Sequence, residues 1–219
     1  MGLGKTLQVL ALLRARRRRR AAEGAEPPGP SLLVAPASLL GNWREEAARF
    51  TPDLTLSFLH PSFSGREALA AMASRPQETL DGADLAITTY GMAHRLDWLR
   101  EVPWDLLILD EAQAIKNPRT RQARAIRRLR SRARVALTGT PIENSLADLW
   151  SLFDVLDPGL LGTTRVFQNF VASLQRRPEA SFEPLRRLVS PYILRRLKTD
   201  RAVIADLPEK TEQHRYCQL

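Results

Sequence analysis

Two stretches carry residue types that could do chemistry together. Leu106-Leu107-Ile108-Leu109 runs directly into Asp110 and Glu111, so four consecutive aliphatics deliver two adjacent carboxylates to one place. At the start of the chain, Gly2-Leu3-Gly4-Lys5-Thr6 has the form of the second half of a phosphate-binding loop. Backbone N–H groups at the start of a helix bind anions, a lysine there reaches β- and γ-phosphates, and a threonine hydroxyl can ligate magnesium. Paired acids at the end of a buried strand supply what that loop lacks, one carboxylate for the metal and one to orient water. The combination predicts a nucleoside triphosphate with Mg²⁺ as the ligand. An ordinary glycine-capped helix and a surface acid pair are the bland alternatives. They weaken each other, since two unpartnered buried carboxylates would cost several kcal/mol.

The elements that must position these residues read as strands alternating with helices. Apolar runs predict strands over 31–35, 54–59, 85–89, 106–109 and 133–137. Helical patterns occupy 5–20, 39–50 with Trp43 on the apolar side, 66–73, 90–100 and 120–129, and residues 61–65 read as a loop. Alternation of this kind means βαβ units and a mostly parallel sheet, whose ligands collect beyond the carboxyl ends of the strands. After Pro141 the pattern is helical only, over 146–156, 166–174 and 182–189, and residues 211–219 read as a possible edge strand. No internal repeat is evident.

Composition narrows the partners. The 219 residues include 33 basic and 24 acidic side chains, a net charge of +9, and only Lys5, Lys116, Lys198 and Lys210 among the basic residues are lysine, leaving 29 arginines. Arginine forks match phosphate bidentately, so a polyanionic partner such as nucleic acid is expected. Codon bias toward arginine is an equally good explanation of the Arg/Lys skew, which makes net charge the better argument. Arg16 to Arg20 read as a solvated helix end ahead of a proline- and glycine-rich loop. One cysteine, Cys217, forms no intrachain disulfide framework or multi-cysteine zinc site, and no run approaches the roughly 18 apolar residues that span a bilayer. These features lead us to expect an intracellular, cytoplasmic protein.

The ordered motifs resemble the first RecA-like lobe of the Snf2-type ATPases, superfamily 2 helicase-like motors that move on double-stranded DNA. Met-Gly-Leu-Gly-Lys-Thr at 1–6 is similar to motif I, Ala-Pro-Ala-Ser-Leu-Leu-Gly-Asn-Trp at 35–43 to motif Ia, and Thr88-Thr89-Tyr90 to motif Ib. Asp-Glu-Ala-Gln at 110–113 resembles motif II, and Leu-Thr-Gly-Thr-Pro-Ile-Glu-Asn at 137–144 motif III. The resemblance implies an α/β fold: a RecA-like P-loop NTPase lobe with a mostly parallel sheet over 1–144, an α-helical Snf2-type extension over 145–205, and an exit segment over 206–219. It also implies roles. Gly2, Leu3, Gly4, Lys5 and Thr6 hold ATP, Thr6 and Asp110 hold Mg²⁺, Glu111 positions water and Gln113 links the nucleotide to the rest of the site. Pro36, Ala37, Ser38, Thr88, Thr89 and Tyr90 touch the DNA backbone, and Thr138, Gly139 and Thr140 couple the two sites.

The departures matter too. The segment and strand that precede motif I in this family, and the second lobe with its arginine fingers, do not occur in these 219 residues. The expectation is therefore a piece of a longer protein, nearly inactive alone, since an arginine finger is worth about 10³–10⁵ in rate. An RNA helicase of the same superfamily would more typically carry Asp-Glu-Ala-Asp and Ser-Ala-Thr in the corresponding places. A non-catalytic nucleic-acid-binding or protein-interaction fragment is the reading from a different class.

Overall fold

In the computed structural model of the chain, which describes residues 4–24, 29–139, 146–176 and 182–195, five parallel strands form one sheet. The elements run α1 (Lys5–Ala22), β1 (Ser31–Ala35), α2 (Leu40–Phe50), β2 (Leu56–Phe58), α3 (Pro61–Ser64), α4 (Arg66–Ser74), α5 (Pro76–Leu80), β3 (Leu85–Thr89) and α6 (Tyr90–Arg95). They continue with β4 (Trp104–Asp110), α7 (Arg121–Arg127), β5 (Ser131–Leu137), α8 (Leu146–Leu156), α9 (Thr164–Gln175) and α10 (Glu183–Val189). The strand order is β2-β3-β1-β4-β5, so β1 lies between β3 and β4 in the middle of the sheet. Val34 sits beside Thr88 on one side and Leu109 on the other.

Alternate side chains of the central strands feed two cores. Leu33, Ala35, Leu106 and Ile108 pack with Val9, Leu10 and Leu13 of α1 and with Leu40, Trp43 and Ala47 of α2. Leu32, Val34, Leu107 and Leu109 face the opposite layer, with Tyr90 and Ala93 of α6, Ala123 and Ile126 of α7, and Val155 of α8. Leu106 to Leu109 are at most 2% exposed, each side chain contributing about 1.5–3 kcal/mol of burial. A strand covered on both faces has no polar alternation to show, which is why these read as continuous apolar runs.

Local differences from the expected elements have local causes. Leu54 N donates to Thr51 O and closes a turn, so β2 begins two residues later than expected. The expected 90–100 helix breaks at Leu96, whose ψ of 81° leaves the helical region, and resumes as a 3₁₀ turn over Asp97–Arg100. Residues 61–65 are not simply a loop: Pro61 starts the short helix α3, with His60 capping it by accepting from Ser62 N. The arginine run is also corrected. Arg16 grips the buried carboxylate of Asp105 through two nitrogens, at 2.8–3.1 Å, and Arg17 reaches Asp84 at 3.0 Å, so part of the run fastens α1 to the amino-terminal edge of the sheet.

By compactness, residues 4–171 form one unit, and the end of α9 with α10 belongs to another. Within the second unit, Arg187 pairs with Glu183 across one turn of α10. The possible edge strand over 211–219 lies outside the described residues, as do Gly2, Leu3 and Thr140. No helix among the described residues is long and apolar enough to cross a membrane.

Candidate active site

The candidate residues emerge at the carboxyl ends of the strands: Pro36 after β1, Tyr90 after β3, Glu111 after β4 and Thr138 after β5. Helix α1 begins at the same end. Gly4, its N-cap residue, is left-handed at φ 66°, a conformation that costs a residue with a Cβ about 1 kcal/mol or more. Gly4 makes no side-chain cap bond to this helix start. Among the described residues its first N–H groups thus remain available to an anion, where the helix dipole also favours negative charge. Thr6 is half-buried in that first turn, and Lys5 extends its Nζ to 3.3 Å from Glu111 Oε1.

Glu111 is the one non-glycine residue with positive φ among the described residues, at 47°. A glutamate in the left-handed region is strained, and such strain persists where surrounding contacts over-determine it. Here the turn is fixed by Glu111 N donating to Asp110 Oδ1 at 2.9 Å, and the chain passes straight into a 3₁₀ turn over Ala112–Ile115. The sharp turn separates the two acids. Asp110 stays inside, 5% exposed, while Glu111 is half-buried among polar groups.

The environments push the two carboxyls in opposite directions. Burial raises Asp110 above the ordinary aspartate range, against hydrogen bonds from Trp43 Nε1 and Glu111 N that favour the charged form. Partial burial pulls Glu111 the same way, but hydrogen bonds from Gln113 and Lys5, together with the lysine charge, hold it below the ordinary glutamate range. Glu111 is thus ionised and able to accept a proton or orient water near neutral pH. Asp110, met by two neutral donors, has unused lone pairs that suit a hard cation. An uncapped helix start, a lysine and a buried carboxylate together fit a triphosphate with a divalent metal.

A relay leads away from Glu111. Gln113 Nε2 donates to Glu111 Oε2 at 2.6 Å, and Thr138 Oγ1 donates to Gln113 Oε1 at 2.9 Å. The structure therefore brings Lys5, Glu111, Gln113 and Thr138 into one chain of contacts, with Gly139 exposed next to it.

The six residues expected on the DNA backbone separate into two groups. Ala37 and Ser38 are exposed on a 3₁₀ turn that precedes α2, and Pro36 is half-buried beside them. The other three use their hydroxyls inside the protein. Thr88 is fully buried and donates to Leu59 O at 2.9 Å, Thr89 caps α6 by accepting from Met92 N, and Tyr90 donates to the carbonyl of Asp110 at 2.8 Å. Strand β3 is interior to the sheet, so its last side chains turn into the layers instead of out to solvent. Trp43 is the residue that sequence reasoning placed only by its apolar side. The available signal was its indole N–H, a donor that needs a partner when buried.

A parallel sheet covered on both faces, with its candidate residues at the strand ends, defines a RecA-like lobe. The chain belongs to the Snf2-related family: the family model described as SNF2-related domain matches residues 1–219. It is similar to YwqA of Bacillus subtilis, at 38% identity over 100% of this chain and 23% of that protein. The TATA-binding protein-associated factor mot1 of Aspergillus fumigatus is 37% identical over 99% of the chain and 12% of its own length. Among solved structures, the Sulfolobus solfataricus SWI2/SNF2 ATPase core in complex with dsDNA superposes with a TM-score of 0.78 at 40% identity, covering 95% of this chain and 41% of that one. The chain thus spans less than half the length of each of these relatives.

Proposed function

We propose that this chain is the first ATPase lobe of an ATP-dependent double-stranded DNA translocase. The observation that carries the reading is the convergence of Lys5 and Glu111 at 3.3 Å, with Asp110 buried behind them and the uncapped start of α1 alongside. In this reading Gly2 to Thr6 cradle the phosphates, Lys5 reaches the β- and γ-phosphates, and Asp110 with Thr6 holds Mg²⁺. Magnesium supplies charge neutralisation on the triphosphate. Glu111 orients the attacking water, and the Gln113–Thr138 contact couples Glu111 to the Thr138-Gly139-Thr140 stretch. Residues 1–144 form the nucleotide lobe, 145–205 the helical extension, and a second lobe beyond these residues supplies arginines to the developing charge.

DNA is the partner this reading favours. Exposed Ala37 and Ser38 offer small, hydroxyl-bearing surface that can meet a phosphate without reading a base. The similarity to a core solved with dsDNA supports the same choice. The test is ATP hydrolysis by the full-length protein with and without double-stranded DNA, wild type against Lys5→Ala. Stimulation by duplex DNA that is lost in the variant is expected. Equal stimulation by single-stranded RNA would favour an RNA helicase, and ATP-independent DNA binding without hydrolysis a non-catalytic module.

A further inference from the structure

Asp110 is gripped from both faces of the sheet. Trp43, on α2 in the layer with α1, is 1% exposed and donates its indole N–H to Asp110 Oδ2 at 2.9 Å. Tyr90, the first residue of α6 in the opposite layer, is 5% exposed and donates its hydroxyl to the Asp110 carbonyl at 2.8 Å. With Glu111 N on Oδ1, each carboxylate oxygen has one lone pair committed to a neutral donor. The direction in which the remaining lone pairs point is therefore set by the surrounding protein, and the indole, with a single N–H, has no other bond to offer.

The two grips lead to two different segments, one the exposed turn before α2 and the other the buried end of β3. Helix α2 starts immediately after the exposed 3₁₀ turn at Ala37–Leu39, and Tyr90 immediately follows Thr89, the cap of α6. Both segments end on the same carboxylate residue. Resting on the assignment of Asp110 to the metal, we propose that Trp43 and Tyr90 are positioning residues through which these segments set the affinity of the site for magnesium. Trp43 fixes the carboxylate itself, and Tyr90 fixes the backbone from which it springs. Partners of this kind typically change metal affinity or activity about 10–100-fold when removed.

The test measures binding in the full-length protein, using a fluorescent ATP analogue titrated with and without Mg²⁺. Trp43→Phe keeps the ring in the core and deletes the donor; Tyr90→Phe deletes one oxygen. Trp43→Phe is expected to raise the Mg²⁺ concentration at half-saturation about 10-fold and Tyr90→Phe severalfold, with nucleotide affinity in EDTA unchanged. Val155→Ala, which loosens the core at α8 and lies on neither segment, should lower the melting temperature and leave the Mg²⁺ dependence alone. If Trp43→Phe does not fold, Tyr90→Phe alone carries the test. Mg²⁺ half-saturation within twofold of wild type in the folded positioning variants would overturn the proposal, as would an equal shift in Val155→Ala. Asp110→Asn separates the two levels. If it abolishes the Mg²⁺ dependence while Trp43→Phe and Tyr90→Phe do not alter it, only the positioning roles fall. If it too leaves the dependence intact, the assignment of Asp110 to the metal falls with them.

Discussion

Lys5 Nζ lies 3.3 Å from Glu111 Oε1, joining two side chains 106 positions apart at the point where helix α1 meets the end of β4. Each group holds the other where a phosphate would compete. A γ-phosphate arriving between them gains the lysine and meets the glutamate as a like charge. Glu111→Gln removes the repulsion and frees Lys5, so fluorescent ATP should bind severalfold more tightly while turnover by the full-length protein falls at least about 10²-fold. Weaker nucleotide binding by the variant would contradict this account.

The next contact along the relay makes a different prediction. Thr138 bonds to Gln113, which bonds in turn to Glu111. Thr138→Val should lower kcat of the full-length protein about 10-fold with KM for ATP within twofold, because the defect lies in orienting Glu111. A matching rise in KM would place Thr138 in nucleotide binding instead.

Asp110 makes stability depend on pH in a defined direction. Its folded pKa is raised by burial, so its favourable contribution is present below the ordinary aspartate value and is lost as pH rises through the folded value. In EDTA, the melting temperature of Asp110→Asn minus that of wild type should therefore grow from about pH 4 upward and level off above the folded pKa. Asparagine has one acceptor for two donors, Trp43 Nε1 and Glu111 N, which adds an offset that pH does not change. A difference that shrinks with rising pH would show the carboxylate to be stabilised as an anion.

Residues 119–134 contain eight arginines and no acid, nearly the whole net charge of the chain. Arg127 pairs with Asp154, and Arg134 is bonded to Val155 O and Leu129 O, but Arg121, Arg124 and Arg128 are exposed along one face of α7. If that face follows DNA phosphates, the triple change to Gln should weaken binding on all sequences. It should also flatten the salt dependence by up to about three counterions' worth of slope. An unchanged slope would assign the arginines to solvent.

The sheet was legible in the sequence because β1, β3 and β4 are buried on both faces, so their aliphatic runs carry the signal unbroken. Lys5, Asp110 and Glu111 were legible because their spacing is local to two short motifs. Thr88 was not, since whether a hydroxyl at a strand end points to solvent or into a layer depends on which strands flank it. Trp43 and Arg16 were missed for a related reason. Their partners, Asp110 and Asp105, lie 67 and 89 positions away, and no local pattern pairs residues across such a distance.

Asp105, buried at the amino-terminal end of β4, should be worth about 2 kcal/mol to the fold. Its removal leaves Arg16 only partly able to turn to water, and Asp105→Ala should melt several degrees lower.

The fastening of α1 by Arg16 and Arg17 has a mechanical meaning. Arg16 stands eleven residues beyond Lys5, about 16 Å along the helix axis at 1.5 Å per residue. The helix is thus tied at both ends, by Arg16 and Arg17 to Asp105 and Asp84 at the amino-terminal edge of the sheet and by Lys5 to Glu111 at the carboxyl edge. With Val9, Leu10 and Leu13 packed between them, it is a strut across the sheet, so the placing of Lys5 draws on arginines that stand about three turns away.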